Sequence, residues 1–101
     1  MTDNEIEKMI QDKGLNAPRV TMELIESKIV KEYYHIIENS TVTICALELE
    51  NGYLVTGESA AASPENFDEE VGMKVAKQKA IDKIWILEGY LLKEKLYRGE
   101  K

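Results

Sequence analysis

Thr41-Val42-Thr43-Ile44-Cys45-Ala46-Leu47-Glu48-Leu49, followed by Glu50-Asn51-Gly52 and then Tyr53-Leu54-Val55-Thr56, is the stretch that decides the fold class. The first run is β-branched and apolar, and its alternation is poor. Apolar residues on both faces predict a central strand covered on both sides. Asn51-Gly52 is the strongest hairpin signal in the chain, because both residues tolerate the positive φ of a type I′ turn. It returns the chain through a second strand at Tyr53–Thr56. Upstream, Ile29, Val30, Tyr33, Tyr34, Ile36 and Ile37 give Ile29–Ile37 a strong β character. Glu38-Asn39-Ser40 turns that strand into Thr41. The three runs predict a three-stranded antiparallel β-meander.

Downstream, Gly57-Glu58-Ser59-Ala60-Ala61-Ala62 reads as the end of a strand and a small-residue loop. Ser63 is a natural N-cap and Pro64 suits the first helical position. Glu65, Asp68, Glu69 and Glu70 favour the positive end of a helix dipole. Gly72, Ala76 and Ala80 recur every four residues and give way to Ile84, Leu87 and Leu91. The small residues let the helix lie close to the sheet. A helix from Pro64 to Tyr97 would be about 50 Å long. A compact chain of this size has a radius of gyration of about 13 Å. The helix therefore either breaks near Glu88-Gly89 or projects. A projecting end carries Trp85, Tyr90, Leu91, Leu92, Leu96 and Tyr97, and needs a partner to cover it. That is the sequence argument for a homo-oligomer.

At the other end, Thr2 and Glu5 fit a capping box, and Ile6, Met9 and Ile10 form an apolar helical stripe over Thr2–Lys13. Gly14 is the stop. Leu15–Arg19 is a link, since the residue before Pro18 is pushed out of the α region. A second short helix runs from its N-cap at Thr21 to Ser27, with Met22, Leu24 and Ile25 on its apolar side. The expectation is one α+β domain over residues 1–101: a three-stranded antiparallel meander with flanking N-terminal helices and a long C-terminal helix, assembled as a homo-oligomer.

A formal charge of −6 argues against a general nucleic-acid binder, so DNA is not an expected partner. No apolar run is long enough to span a bilayer, and the N-terminus lacks the pattern of a secretory signal. Cys45 is the only cysteine, which excludes an internal disulfide and fits a reducing cytosol. The inventory for catalysis is thin. His35, in mid-strand, reads as a half-buried packing residue. Cys45, between Ile44 and Ala46, reads as an inert core thiol. Too few histidines and cysteines exist for a metal site of those ligands. Most of the positive charge lies in the last third, much of it on a solvated helix face with pairs such as Asp82–Lys79 and Glu94–Arg98.

The ordered series Val55-Thr56-Gly57-Glu58-Ser59-Ala60, Pro64, Asn66-Phe67-Asp68, Glu70, Gly72, Ala80, Lys83, Trp85, Leu87, Gly89-Tyr90 resembles a family of small phage and prophage gene products that includes the first-type Thoeris anti-defence protein. Ala17-Pro18-Arg19-Val20 and the Ile29–Tyr33 segment also fit. The resemblance implies a sponge. Such a protein sequesters cyclic ADP-ribose isomers made by bacterial TIR-domain sensors and does not degrade them. It implies an oligomer with ligand pockets at subunit junctions, and in some members separate sites for cyclic oligonucleotides. Carried onto this chain, it makes Phe67, with Asn66 beside it, the candidate that stacks on the base. Lys95 and Arg98 become the candidates for the pyrophosphate, and Arg19 the candidate for the cyclic-oligonucleotide site. The expectation is thus a non-enzymatic binder without a cofactor, acting in the host bacterial cytoplasm on a small cyclic nucleotide, with no DNA and no membrane among its partners. The alternative is an acidic phage protein that binds and inhibits a host protein.

Overall fold

Leu47, Cys45 and Val55 turn toward Ala76, Ala80 and Ile84 to make the centre of the molecule, with Ile25 closing one end. In the computed structural model, which describes residues 3–15 and 17–100, the order of elements is α1 (Asp3–Asp12), α2 (Met22–Lys28), β1 (Ile29–Ile36), β2 (Val42–Leu49), β3 (Leu54–Ala60) and α3 (Glu69–Tyr97). The sheet is antiparallel with order β1-β2-β3. This is the expected α+β meander with flanking N-terminal helices and a long C-terminal helix.

Register fixes which residues face the helix. Tyr34 pairs with Cys45, and Cys45 with Gly57. Thr43 pairs with Ser59 and Leu47 with Val55. These residues share the face on which α3 lies. A Cβ on residue 57 would stand 2.9 Å from the carbonyl carbon of Lys79, and closer still to the Ala76 oxygen and the Ala80 nitrogen. Glycine at 57 and alanine at 76 and 80 therefore set how near the helix comes. Ser59 ties the layers by donating to the Gly72 carbonyl at 2.8 Å.

Several local expectations are corrected. β2 is central, yet only one of its faces is covered: residues alternate strictly between buried and half-buried. Val42, Ile44 and Ala46 belong to the open face, as in many antiparallel sheets with one wet side. His35 lies on that face and is exposed rather than half-buried. β3 does not end at Gly57 but continues through Ala60, held by pairs to Thr43 and Val42. The Asn51-Gly52 hairpin is present, but only Gly52 has positive φ, so the turn is not type I′. Gly52 donates to the Leu49 carbonyl and the Asn51 side chain accepts from Tyr53, which gives a three-residue connection ending in a left-handed glycine.

The long helix starts later than its sequence signals. Pro64–Asn66 is an isolated 3-10 turn, and the Ser63 hydroxyl meets the Glu65 carboxylate instead of capping. Phe67 is extended, and Asp68 is the N-cap of α3, accepting from the Val71 N–H at 3.0 Å. A carboxylate at that position meets the helix dipole and an orphan donor together. Thr21 caps α2 as expected, through the Leu24 N–H. Gly14 ends α1 with positive φ. The capping pair expected from Thr2 and Glu5 includes a residue outside those described. Asp82 accepts from Gln78 rather than pairing with Lys79, while Arg98–Glu94 forms as expected at 2.8 Å.

α3 does not break at Gly89. Its 29 residues measure about 43 Å, whereas strands of seven or eight residues reach only about 26 Å. The helix overruns the sheet, and the molecule measures 51 × 31 × 18 Å with a radius of gyration of 16.4 Å.

Candidate functional site

The overhang of α3 creates a concavity. Past Ile84 the sheet-facing side of the helix has no sheet beneath it, and Leu87 and Leu91 stay exposed. The floor is supplied instead by the β2–β3 turn and by Leu24 of α2. The result is a groove of about 880 Å³. That volume falls within the range of small-molecule pockets.

Four cations line it: Arg19, Lys28, Lys95 and Arg98. So do four carboxylates: Glu50, Glu88, Glu94 and Glu100. Lys28 donates to Glu50 at 2.8 Å, and this bond raises the lysine above its ordinary pKa. Arg98 is held by Glu94, one turn back. Arg19 meets Glu7 of α1, and its buried Nε has no hydrogen-bond partner among the described residues. No acid pairs with Lys95 among the described residues, which makes it the cation best placed to take up an anion. Two exposed aromatics, Tyr53 and Tyr90, stand on the rim.

The five residues singled out in the sequence divide between two places. Arg19, Lys95 and Arg98 share this groove. Arg19 thus sits with the pyrophosphate candidates, not at a place apart. Asn66 and Phe67 precede the N-cap of α3, a whole helix length from Arg98. Asn66 is exposed and Phe67 half-buried. One chain does not bring Phe67 to Lys95. Tyr53 and Tyr90 were not singled out as ring-stacking groups. Tyr53 reads as a strand residue and Tyr90 as an uncovered helix residue; only the placement of the hairpin below the overhang puts them on one rim.

A second polar cluster lies on the sheet. Tyr34 donates to Glu32 at 2.8 Å, and Lys77 donates to the other oxygen of Glu32 at 2.9 Å. These bonds, that from Lys77 foremost, hold the Glu32 carboxyl below its usual range. Burial first, and the bond to Glu32 next, push the Tyr34 hydroxyl up. Burial likewise raises the Cys45 thiol, the reverse of what a nucleophile needs. Among the described residues no group of His, Cys, Asp and Glu is placed to hold a metal ion, and no helix is long and apolar enough to cross a membrane.

Residues 20–96 match the model of a family described as the phage protein (N4 Gp49/phage Sf6 gene 66) family. The matched interval contains α2, the whole sheet and nearly all of α3. It includes Asn66, Phe67 and Lys95, and leaves out α1, Arg19 and Arg98. No curated protein and no solved structure matches the chain.

Proposed function

The chain belongs to the phage protein (N4 Gp49/phage Sf6 gene 66) family, and from that footing we propose that it is an anti-defence sponge for a cyclic ADP-ribose-type signal in the host bacterial cytoplasm. The observation that carries this reading is the groove that gathers Arg19, Lys95 and Arg98 under a rim of Tyr53 and Tyr90. A cyclic ADP-ribose-type ligand presents a pyrophosphate and a flat base. Cations near an aromatic rim answer both needs. Sequestration asks for tight binding and no chemistry.

Asn66 and Phe67 lie too far from Lys95 within one chain, so in this reading they reach the ligand only from a second copy. A cyclic oligonucleotide is a further ligand class for the same groove, since Arg19 lines it with Lys95 and Arg98.

The groove's charge balance favours one second reading. Four carboxylates accompany the four cations, so an apolar protein segment also fits there, as it would in an acidic phage protein that inhibits a host protein. One experiment separates the two. Purified protein is mixed with a panel of cyclic nucleotides, filtered, denatured by heat, and the released material identified. Intact cyclic ADP-ribose isomer supports the sponge. An altered nucleotide makes the protein a hydrolase, and no nucleotide at all overturns the sponge in favour of a protein target.

A further inference from the structure

Arg19 serves two neighbours. It lines the groove with Lys95 and Arg98, yet its Nη2 donates to the Glu7 carboxylate on α1. Glu7 in turn lines a second cavity, of about 580 Å³, between α1, α2 and the Asp82 and Trp85 side of α3. The ion pair is therefore the partition between the two spaces. α1 itself holds to the body lightly. Among residues 4–12 only Glu7 and Ile10 are even half-buried, and Ile6 and Met9 are 44% and 43% exposed. Ile6 and Ile10 line the second cavity opposite Met22 and Trp85 instead of filling it. The tertiary packing that stabilises most helices is thus small here, and the contact to Arg19 carries much of the docking. Gly14 ends α1 with a φ of +67° and open space around it, which gives the chain a place to bend.

The hold of Glu7 on Arg19 is incomplete. The contact is made through Nη2, while the buried Nε has no partner among the described residues. A phosphate group meets a guanidinium side-on, two oxygens taking two N–H donors together. Bound through Nε and Nη2, it satisfies the donor that Glu7 leaves unpaired.

We propose that α1 is a latch on the groove: Glu7 holds Arg19 until an anion in the groove takes the guanidinium over, and α1 then swings away about Gly14. This deepens the anion-binding reading of the groove given above and rests on it. Linkage makes the effect reciprocal: the factor by which docked α1 weakens the ligand is the factor by which the ligand weakens docking. Both partners of the latch precede residue 20, ahead of the interval that matches the family.

Inorganic pyrophosphate is the first probe, because the latch concerns phosphate oxygens and not a base. Glu7→Gln removes the charge that holds Arg19 and keeps the side chain's shape. By calorimetry it is expected to bind pyrophosphate about two- to fivefold more tightly than wild type, the range a partly exposed ion pair is worth. Asp12→Asn removes an equal charge from an exposed position of the same helix and is expected to leave the affinity unchanged. In an Arg19→Ala background Glu7→Gln is expected to have no effect, as a double-mutant cycle requires of partners. Amide exchange needs no substitution: in wild type the amides of α1 are expected to exchange about two- to fivefold faster once pyrophosphate saturates the groove, by the same reciprocity. The latch is overturned if Glu7→Gln binds no better than wild type, if Asp12→Asn or the Arg19→Ala background shows the same gain, or if pyrophosphate leaves exchange in α1 unchanged or slower. Cyclic ADP-ribose then separates the latch from the sponge. The expected pyrophosphate results with no capture of the cyclic nucleotide leave the latch standing and remove the sponge. Equal capture of the nucleotide by wild type and Glu7→Gln keeps the sponge and removes the latch. Binding of neither removes both.

Discussion

Gly57 on β3 and Ala80 on α3 touch backbone to backbone: a single methyl at 57 would overlap the Ala80 amide nitrogen. The obstacle is main chain, which cannot swing aside as a side chain can. Gly57→Ala is therefore expected to lower stability by about 3 kcal/mol or more, at the upper end of overpacking costs. Gly89 is the control. It lies inside α3 with nothing within 4 Å of a built Cβ. Gly89→Ala is expected to raise stability by about 0.5–1 kcal/mol through helix propensity alone. Urea denaturation of both variants checks the contrast, and a neutral Gly57→Ala would mean that the layers are not in contact there.

Thr43 is fully buried and its hydroxyl has no hydrogen-bond partner among the described residues. The hydroxyl lies near Gly72, where a built Cβ would come within 2.8 Å of it. Thr43→Val keeps the shape and removes the unsatisfied oxygen. It is expected to stabilise the fold by about 1 kcal/mol, the lower end of the cost of an orphaned buried polar group. A loss of stability in thermal unfolding would show that the hydroxyl is satisfied in solution.

What could be read from the chain was what local chemistry dictates. The β-branched runs, the Thr21 cap and the small residues at 72, 76 and 80 each specify their own conformation. The start of α3 was misplaced because Ser63-Pro64 and Asp68 both carry cap chemistry, and only the extended Phe67 between them decides which one opens the helix. β2 was expected to be covered twice because its composition is apolar on both faces; composition does not say whether the second cover comes from the same chain. The groove was out of reach for a similar reason. Arg19 and Lys95 are brought together by the overhang of α3 beyond the sheet, a difference in element lengths rather than a motif.

Glu32, Tyr34 and Lys77 make stability depend on pH with a definite sign. The folded-state pKa of Glu32 is lowered, chiefly by Lys77. Its contribution is therefore present above the unfolded carboxyl value, about 4.3, and is lost as pH falls through the lower folded value. Both side chains of the ion pair are 37% exposed, so screening limits the effect to below about 1 kcal/mol. Melting temperatures of wild type and Glu32→Gln are expected to differ at pH 7 and to converge as pH falls below about 4. A constant gap down to pH 2.5 would assign the role of Glu32 to packing.

Phe67→Ala is expected to weaken capture of the cyclic nucleotide while leaving the fold intact. Loss of one stacking aromatic costs about 1–3 kcal/mol, which is about 5- to 150-fold in affinity. Phe67 is half-buried at the C-cap of the 3-10 turn, so a rival role as a staple is concrete. A large drop in melting point with the affinity of the folded fraction unchanged would assign it that role.

The cations of the groove are expected to be unequal, although the sequence ranks them alike. Arg98 already has Glu94 at 2.8 Å, whereas no described acid pairs with Lys95. A pyrophosphate reaching Arg98 must displace or share a carboxylate; at Lys95 it displaces only water. Lys95→Ala is therefore expected to lower affinity by about tenfold or more, the loss of a charge-assisted hydrogen bond. Arg98→Ala is expected to lower it less, and Glu94→Gln to raise it by freeing the guanidinium. The chain as a whole repels an anion, with a net charge of −6. At 0.15 M salt the Debye length is about 8 Å, which mutes that long-range repulsion but leaves a direct contact largely intact. Affinity measured by calorimetry at low and moderate salt is thus expected to change less than a sum over surface charges would predict, and the order of Lys95→Ala, Arg98→Ala and wild type to persist at both. Equal affinities for all three would return these cations to the solvated face of the helix and leave the groove to a protein partner.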